Sequence, residues 1–177
     1  MKRRLVVFFD SGDTIVDEST EVRDERGIVV KAELHEDGGG LLRQLYEAGF
    51  TLALVADGEV ESFKNIYKQH GLSDVFTTRI ISEVMPDRKP AACMFQGAMD
   101  ALGLTDADKN RVVMIGNNLP RDILGANRFG IMSVLYDWSP RYDMTPKNSD
   151  ETPDYRVSTR DELYNLLLKL DAECGGR

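Results

Sequence analysis

Four polar clusters in this sequence combine residue types and positions suited to chemistry: Asp10 to Thr14 (DSGDT), Ala56-Asp57, Lys89, and Asn117 to Asp122 (NNLPRD). Each follows directly on an apolar run or precedes a helix-like segment. A parallel sheet gathers such positions along one edge, where open α/β sheets place their ligands. The set supplies a carboxylate nucleophile candidate in Asp10, a cation in Lys89 and several further oxygen donors. An aspartate can attack phosphorus to give an aspartyl-phosphate, provided the charge on both anions is offset. Mg²⁺ does this with a few oxygen ligands, waters and the substrate phosphate. A lysine beside the transferring group adds the remaining positive charge.

The elements that must position these residues are legible as alternating apolar patterns. Leu5 to Phe9 is a five-residue apolar run that stops at Asp10, which suits a strand buried on both faces. Thr51–Val55, Val112–Ile115 and Met132–Tyr136 predict three more buried strands, and Tyr155–Val157 an edge strand. Between them, helices are predicted at Leu41–Ala48, at about Glu59–His70, after Pro90, from Pro120 to about Phe129, and from about Thr159. Gly49, Gly71 and Gly130 close three of these as C-cap residues. Val75-Phe76 and Arg79–Ser82 read as short extended pieces. Residues 19–34 predict a β-hairpin whose turn is Asp24-Glu25-Arg26-Gly27. Residues 139–154, rich in proline and polar groups, predict a surface loop, and Glu173–Arg177 a frayed end.

Strands alternating with helices over 177 residues predict one domain, 1–177, built on a doubly wound parallel sheet. The formal net charge of -8 argues against a nucleic-acid or anionic-membrane surface. Two cysteines far apart, Cys93 and Cys174, suggest reduced thiols and a cytoplasmic protein. The opening MKRRLVVFFD has too short an apolar run for a signal peptide, and no stretch reaches transmembrane length. The stripe Met94, Phe95, Ala98, Met99 and Leu102 reads as core packing. His70, at a helix end, and His35, in a polar connection, read as structural.

In combination the four clusters resemble the motifs of the haloacid dehalogenase-like hydrolase superfamily, most of whose members are phosphatases. Asp10-Ser11-Gly12-Asp13-Thr14 is similar to the first motif, DxDGT, and Ala56-Asp57-Gly58 to the second. Lys89-Pro90 matches the third, and Gly116 to Asp122 the fourth. The resemblance implies a three-layer, Rossmann-like α/β fold in which residues 19–34 form a β-flap. It implies that Asp10 is nucleophile and metal ligand, and that Lys89 is a catalytic and substrate-binding cation near the transferring group. By the same resemblance, the Gly12 carbonyl, Asn117 and Asp122 complete a Mg²⁺ site, while Ala56, Asp57 and Asn118 line the phosphate.

The departures bear on activity. The second aspartate of the first motif is the family's general acid/base, and that position is Gly12 here. Asp13, displaced by one residue, is the expected stand-in; general acid help is worth about 10²–10⁴-fold. Ala56 lacks the second motif's hydroxyl, and Asn117 replaces a carboxylate ligand, so Mg²⁺ binding should be weakened. Asp122 in a helix's first turn also compensates a helix dipole, and asparagines near a helix start also cap it. No cap domain is evident, so the site is expected to be open, suited to a large substrate or to closure by a second subunit. The leading expectation is a Mg²⁺-dependent phosphomonoester phosphatase. The alternatives are a catalytically impaired relative that binds a phosphorylated ligand or a protein partner, and a dehalogenase.

Overall fold

The computed structural model describes residues 3–35, 38–139 and 141–175. In chain order the strands are β1 (Val6–Phe9), β2 (Val16–Arg23), β3 (Val29–Leu34), β4 (Thr51–Ala56), β5 (Thr78–Ile81), β6 (Val112–Gly116), β7 (Met132–Tyr136) and β8 (Tyr155–Val157). The helices are α1 (Gly38–Glu47), α2 (Val60–Gln69), α3 (Ala92–Ala101), α4 (Leu124–Phe129) and α5 (Arg160–Gly175). Six strands form a parallel sheet in the order β5-β4-β1-β6-β7-β8, and β2 and β3 pair antiparallel as a separate hairpin.

Side-chain alternation divides the core between the two faces of this sheet. Val7 and Phe9 of β1, Leu52 and Leu54 of β4, and Val113 and Ile115 of β6 pack beneath α1, α2 and α5. Val6 and Phe8, Ala53 and Val55, and Val112 and Met114 pack beneath α3 and α4. Both faces are therefore buried, which explains why these strands are continuous apolar runs. Each fully buried large side chain contributes about 1.5–3 kcal/mol. The layering is the expected three-layer α/β arrangement. No helix among the described residues is long and apolar enough to cross a membrane.

Strand register sets the position of the chemistry. β1 lies between β4 and β6, with Phe9 opposite Leu54 on one side and Ile115 on the other. Asp10, the Ala56-Asp57 step and Asn117 thus leave the sheet at the same carboxyl edge. Asp10 N–H still donates to the Ile115 carbonyl at 2.9 Å, so the nucleophile candidate is anchored by the last ladder bond.

Several boundaries differ from the sequence expectation. The hairpin begins at Val16, not at residue 19, because Val16 joins Val29, Ala32 and Ile66 in a small core of its own against α2. Gly38 to Gly40 lie within α1 rather than ahead of it. Gly38 is needed there because a Cβ would come within 2.8 Å of the Ile15 carbonyl. Val75 and Phe76 are buried in the core but form no strand, and β5 starts only at Thr78.

The helix predicted from Pro120 opens as a π-helical turn, Leu119–Ile123, before α4. α5 continues to Gly175, with Cys174 packed at the core margin; the frayed end predicted at residues 176 and 177 lies outside the described residues. The polar loop after β7 is tied down rather than loose. Asn127 Nδ2 donates to the carbonyls of Asp150 and Thr152, and Lys147 N–H donates to Glu151.

Candidate active site

The three motif-bearing strands β1, β4 and β6 deliver their terminal residues to one crevice, and the connection before α3 adds Lys89. The Lys89 side chain is 1% exposed, and its Nζ donates to Asp10 Oδ1 at 2.7 Å and to Asp122 Oδ1 at 2.6 Å. Burial alone would lower the lysine pKa. The carboxylates of Asp10, Asp122 and Asp57 outweigh it and hold Lys89 above its ordinary range, so it is a fixed cation. Burial pushes the Asp122 carboxyl up, the Asp10 charge adds to this, and Lys89 opposes it. Asp122 Oδ2 accepts the Asn118 N–H at 3.1 Å, which closes the turn that opens the π-helical segment.

Asp10 has its Oδ1 committed to Lys89, while Oδ2 accepts the longer 3.4 Å contact from the Thr14 hydroxyl. Ser11 turns away into the core and shares a 2.9 Å hydrogen bond with the Tyr67 hydroxyl. Burial drives the Tyr67 pKa up, so this phenol stays protonated. Asp57 turns toward the Lys89 segment: its Oδ1 accepts the Lys89 backbone N–H at 3.0 Å, and Arg121 lies 4.0 Å from its Oδ2. Ala56 is fully buried and offers the crevice only backbone atoms.

Asn117 is 1% exposed, and neither its amide oxygen nor its amide nitrogen has a hydrogen-bond partner among the described residues. A buried amide in that state costs about 1–3 kcal/mol, so this position suits a ligand. Asn118 Oδ1 is likewise buried and unpartnered. No group of three or more His, Cys, Asp or Glu side chains is arranged to hold a metal among the described residues. The donors present are two carboxylates, Asp10 and Asp122, with the Asn117 amide oxygen and backbone carbonyls of the Gly12 turn. This all-oxygen, partly neutral set fits a weakly held hard cation.

Asp13 is buried and turned toward Glu18 and Arg141. It adopts a left-handed backbone with φ 48. Its Oδ1 accepts the Glu18 N–H at 3.1 Å, and its Oδ2 pairs with Arg141 Nε at 2.5 Å. Burial raises the Asp13 pKa, against the opposing Glu18 N–H and Arg141 charge. Arg141 also donates through Nη1 to Glu18 Oε2 at 2.8 Å. Burial and the neighbouring Asp13 and Glu21 charges raise the Glu18 pKa. Neither Glu18 nor Arg141 was singled out in the sequence. Arg141 stands in a loop without periodicity, 123 residues from its Glu18 partner.

Residues 9–136 match the family model for haloacid dehalogenase-like hydrolases. This chain belongs to that family. It is 32% identical over 130 residues to glyceraldehyde 3-phosphate phosphatase of Methanopyrus kandleri, covering 73% of this chain and 54% of that protein. It is 25% identical over 128 residues to haloacetate dehalogenase H-2 of a Moraxella species, covering 72% of this chain and 53% of the relative. The chain thus spans about half the length of these curated relatives. The crystal structure of a phosphatase of the same family from Thermococcus onnurineus superposes with a TM-score of 0.73 at 19% identity, covering 94% of this chain and 98% of that one. At that identity the match shows the shared α/β fold. Family membership and phosphatase-named relatives support a hydrolase.

Proposed function

We propose that this chain hydrolyses phosphate monoesters through an aspartyl-phosphate on Asp10. The observation that carries this reading is the Asp10–Lys89–Asp122 cluster at the carboxyl edge of β1, with a fixed ammonium 2.7 Å from one oxygen of the nucleophile. Lys89 holds Oδ1 and orients the carboxylate, leaving Oδ2 to attack phosphorus. The Asp10–phosphorus bond forms as the ester oxygen leaves. Water then attacks the same phosphorus, releasing inorganic phosphate and restoring Asp10. Lys89 stays charged throughout and offsets the phosphoryl oxygens.

Mg²⁺ is the cofactor of this reading, with Asp10, the Gly12 carbonyl, Asn117 and Asp122 as the residues that would hold it. When bound, it would offset the negative charge shared by Asp10 and the phosphoryl group. The unsatisfied Asn117 amide supports the assignment. Asn118 and the backbone of Ala56 and Asp57 line the substrate side. Between β1 and β4 the described residues form the β2–β3 hairpin and α1, so the crevice is open. A large phosphorylated substrate, or a second copy of the chain covering the site, fits that opening.

The test is a panel of phosphomonoesters assayed with and without Mg²⁺ for the wild type and Asp10→Asn. Release of phosphate by the wild type, abolished in the variant, is the expected result. Equal rates for the two proteins would overturn the proposal.

A second reading, a protein that binds a phosphorylated ligand without turning it over, is favoured by one observation. Lys89 is already matched by two carboxylates, and Asn117 contributes no charge. Tight phosphate binding with no turnover would select it.

A further inference from the structure

Cleaving a phosphate ester leaves an alkoxide that needs a proton, and the second step needs a base for water. Most carboxyl groups around the crevice are already committed. Asp122 is paired with Lys89. Asp57 Oδ1 accepts the Lys89 N–H, and its Oδ2, buried without a hydrogen bond, faces Arg121 at 4.0 Å. Asp13 Oδ1 accepts the Glu18 N–H, and its buried Oδ2 is ion-paired with Arg141.

Glu18 differs. Its Oε2 is anchored by Arg141 Nη1 at 2.8 Å, while its Oε1 accepts no hydrogen bond from a described residue. Its location is specific. A Cβ placed on Gly12 would stand 1.7 Å from Glu18 Oε1, 2.6 Å from its Cδ and 3.0 Å from its Cγ. The carboxyl group therefore fills the volume that a side chain two residues beyond Asp10 would take. It gets there because Gly12 bridges to Val16, folding the start of β2 back over the turn. Ser11, Gly12, Glu18 and Asp57 line a crevice of about 110 Å³ that begins one residue beyond Asp10. The Glu18 side chain is 32% exposed, so a substrate can reach it.

We infer that Glu18 is the proton donor and acceptor of the reaction, with Asp13 and Arg141 as the residues that position it. The inference rests on the aspartyl-phosphate reading above. In the first step the Asp10 Oδ2–phosphorus bond forms and the ester phosphorus–oxygen bond breaks. The Glu18 Oε1 proton passes to the leaving oxygen, giving the alcohol and a Glu18 carboxylate. In the second, water oxygen bonds to phosphorus and the Asp10–phosphorus bond breaks. The water proton returns to Glu18 Oε1.

The experiment compares wild type, Glu18→Gln, and the double variant Gly12→Asp with Glu18→Ala on two substrates in Mg²⁺ buffer. One is p-nitrophenyl phosphate, whose leaving group needs no proton; the other is β-glycerophosphate, whose alkoxide does. Thermal melts establish that each variant folds. Glu18→Gln should lose about 10²–10⁴-fold of kcat on β-glycerophosphate. On p-nitrophenyl phosphate it should give a burst of nitrophenolate approaching one per chain, then slow turnover. The double variant, which puts a carboxyl on residue 12 and clears its space, should recover at least about tenfold of the β-glycerophosphate loss, a small part of the acid/base contribution. Wild-type rates for Glu18→Gln on both substrates would overturn the Glu18 assignment and leave the aspartyl-phosphate reading standing. A wild type that yields neither turnover nor burst would overturn both.

Discussion

Lys89 Nζ lies 2.6 Å from Asp122 Oδ1, and each side chain is 1% exposed. A charged pair so buried holds together because each partner compensates the other's lost hydration. Removing one member leaves an uncompensated charge. Lys89→Met is therefore expected to lower stability by about 3–5 kcal/mol at neutral pH and to abolish phosphate release. Lys89→Met combined with Asp122→Asn should be less destabilised than Lys89→Met alone. Urea denaturation of the three proteins measures this, and a Lys89→Met protein as stable as wild type would contradict the pairing.

Asn117 separates stability from function in the opposite sense. Its buried amide lacks a hydrogen-bond partner among the described residues, so Asn117→Leu removes an unsatisfied polar group of similar size. In Mg²⁺-free buffer the variant should gain about 1 kcal/mol. Calorimetric titration should show Mg²⁺ binding lost in Asn117→Leu and tightened in Asn117→Asp, since a carboxylate restores a charged ligand. Equal Mg²⁺ affinity in all three proteins would remove Asn117 from the metal site.

The sheet was legible because strands buried on both faces must be short apolar runs, and those of β1, β4 and β6 each end abruptly in polar residues. Lys89 was legible for a related reason, since Lys89-Pro90 immediately precedes the amphipathic stripe of α3. Glu18 was not. The sequence pattern started the hairpin at residue 19, and the Gly12–Val16 bridge that folds Glu18 back depends on backbone geometry with no residue-type signature. Arg141 was hidden for the opposite reason. Its loop carries no periodicity, and its partners, Asp13 and Glu18, lie at the far end of the chain. Asp13, one residue beyond the expected position, gives Oδ1 to the Glu18 N–H and pairs its Oδ2 with Arg141.

Asp171 gives a pH-dependent stability test far from the site. Its Oδ1 accepts the N–H groups of Arg4 and Leu5 at 2.8 and 2.9 Å, and its Oδ2 pairs with Arg3 at 3.1 Å. Burial, which would raise its pKa, is outweighed by those N–H groups and by Arg3, so the folded carboxyl titrates below the ordinary 3.8. A depressed folded pKa means the stabilisation is complete above the unfolded value and fades as pH falls through the folded one. Asp171→Asn should therefore cost about 1 kcal/mol at pH 7, and the gap should close below about pH 3.8. A gap that stayed constant down to pH 2 would show that the charge is not what matters there.

Arg141 distinguishes a positioning role from a stabilising one. Its side chain is 38% exposed and its ion pairs reach Asp13 at 2.5 Å and Glu18 at 2.8 Å. The Arg141–Glu18 pair is exposed and contributes about 0–1 kcal/mol, but Asp13 is 2% exposed, so Arg141→Ala also leaves a buried carboxylate without this partner and should destabilise by about 1–3 kcal/mol. Its catalytic effect is read separately, on folded protein. Without the guanidinium, Glu18 Oε2 loses its anchor and two neighbouring carboxylates repel, so Oε1 spends less time over Gly12. Turnover of β-glycerophosphate should fall about tenfold, a fraction of the full acid/base contribution. Arg141→Lys should restore part of it by returning the charge without the planar fork that spans both carboxylates. In a Glu18→Gln background the same Arg141→Ala change should have little further effect, because the group it positions is already lost. Independent, multiplying losses in the double variant would show that Arg141 acts on the reaction by some route other than Glu18.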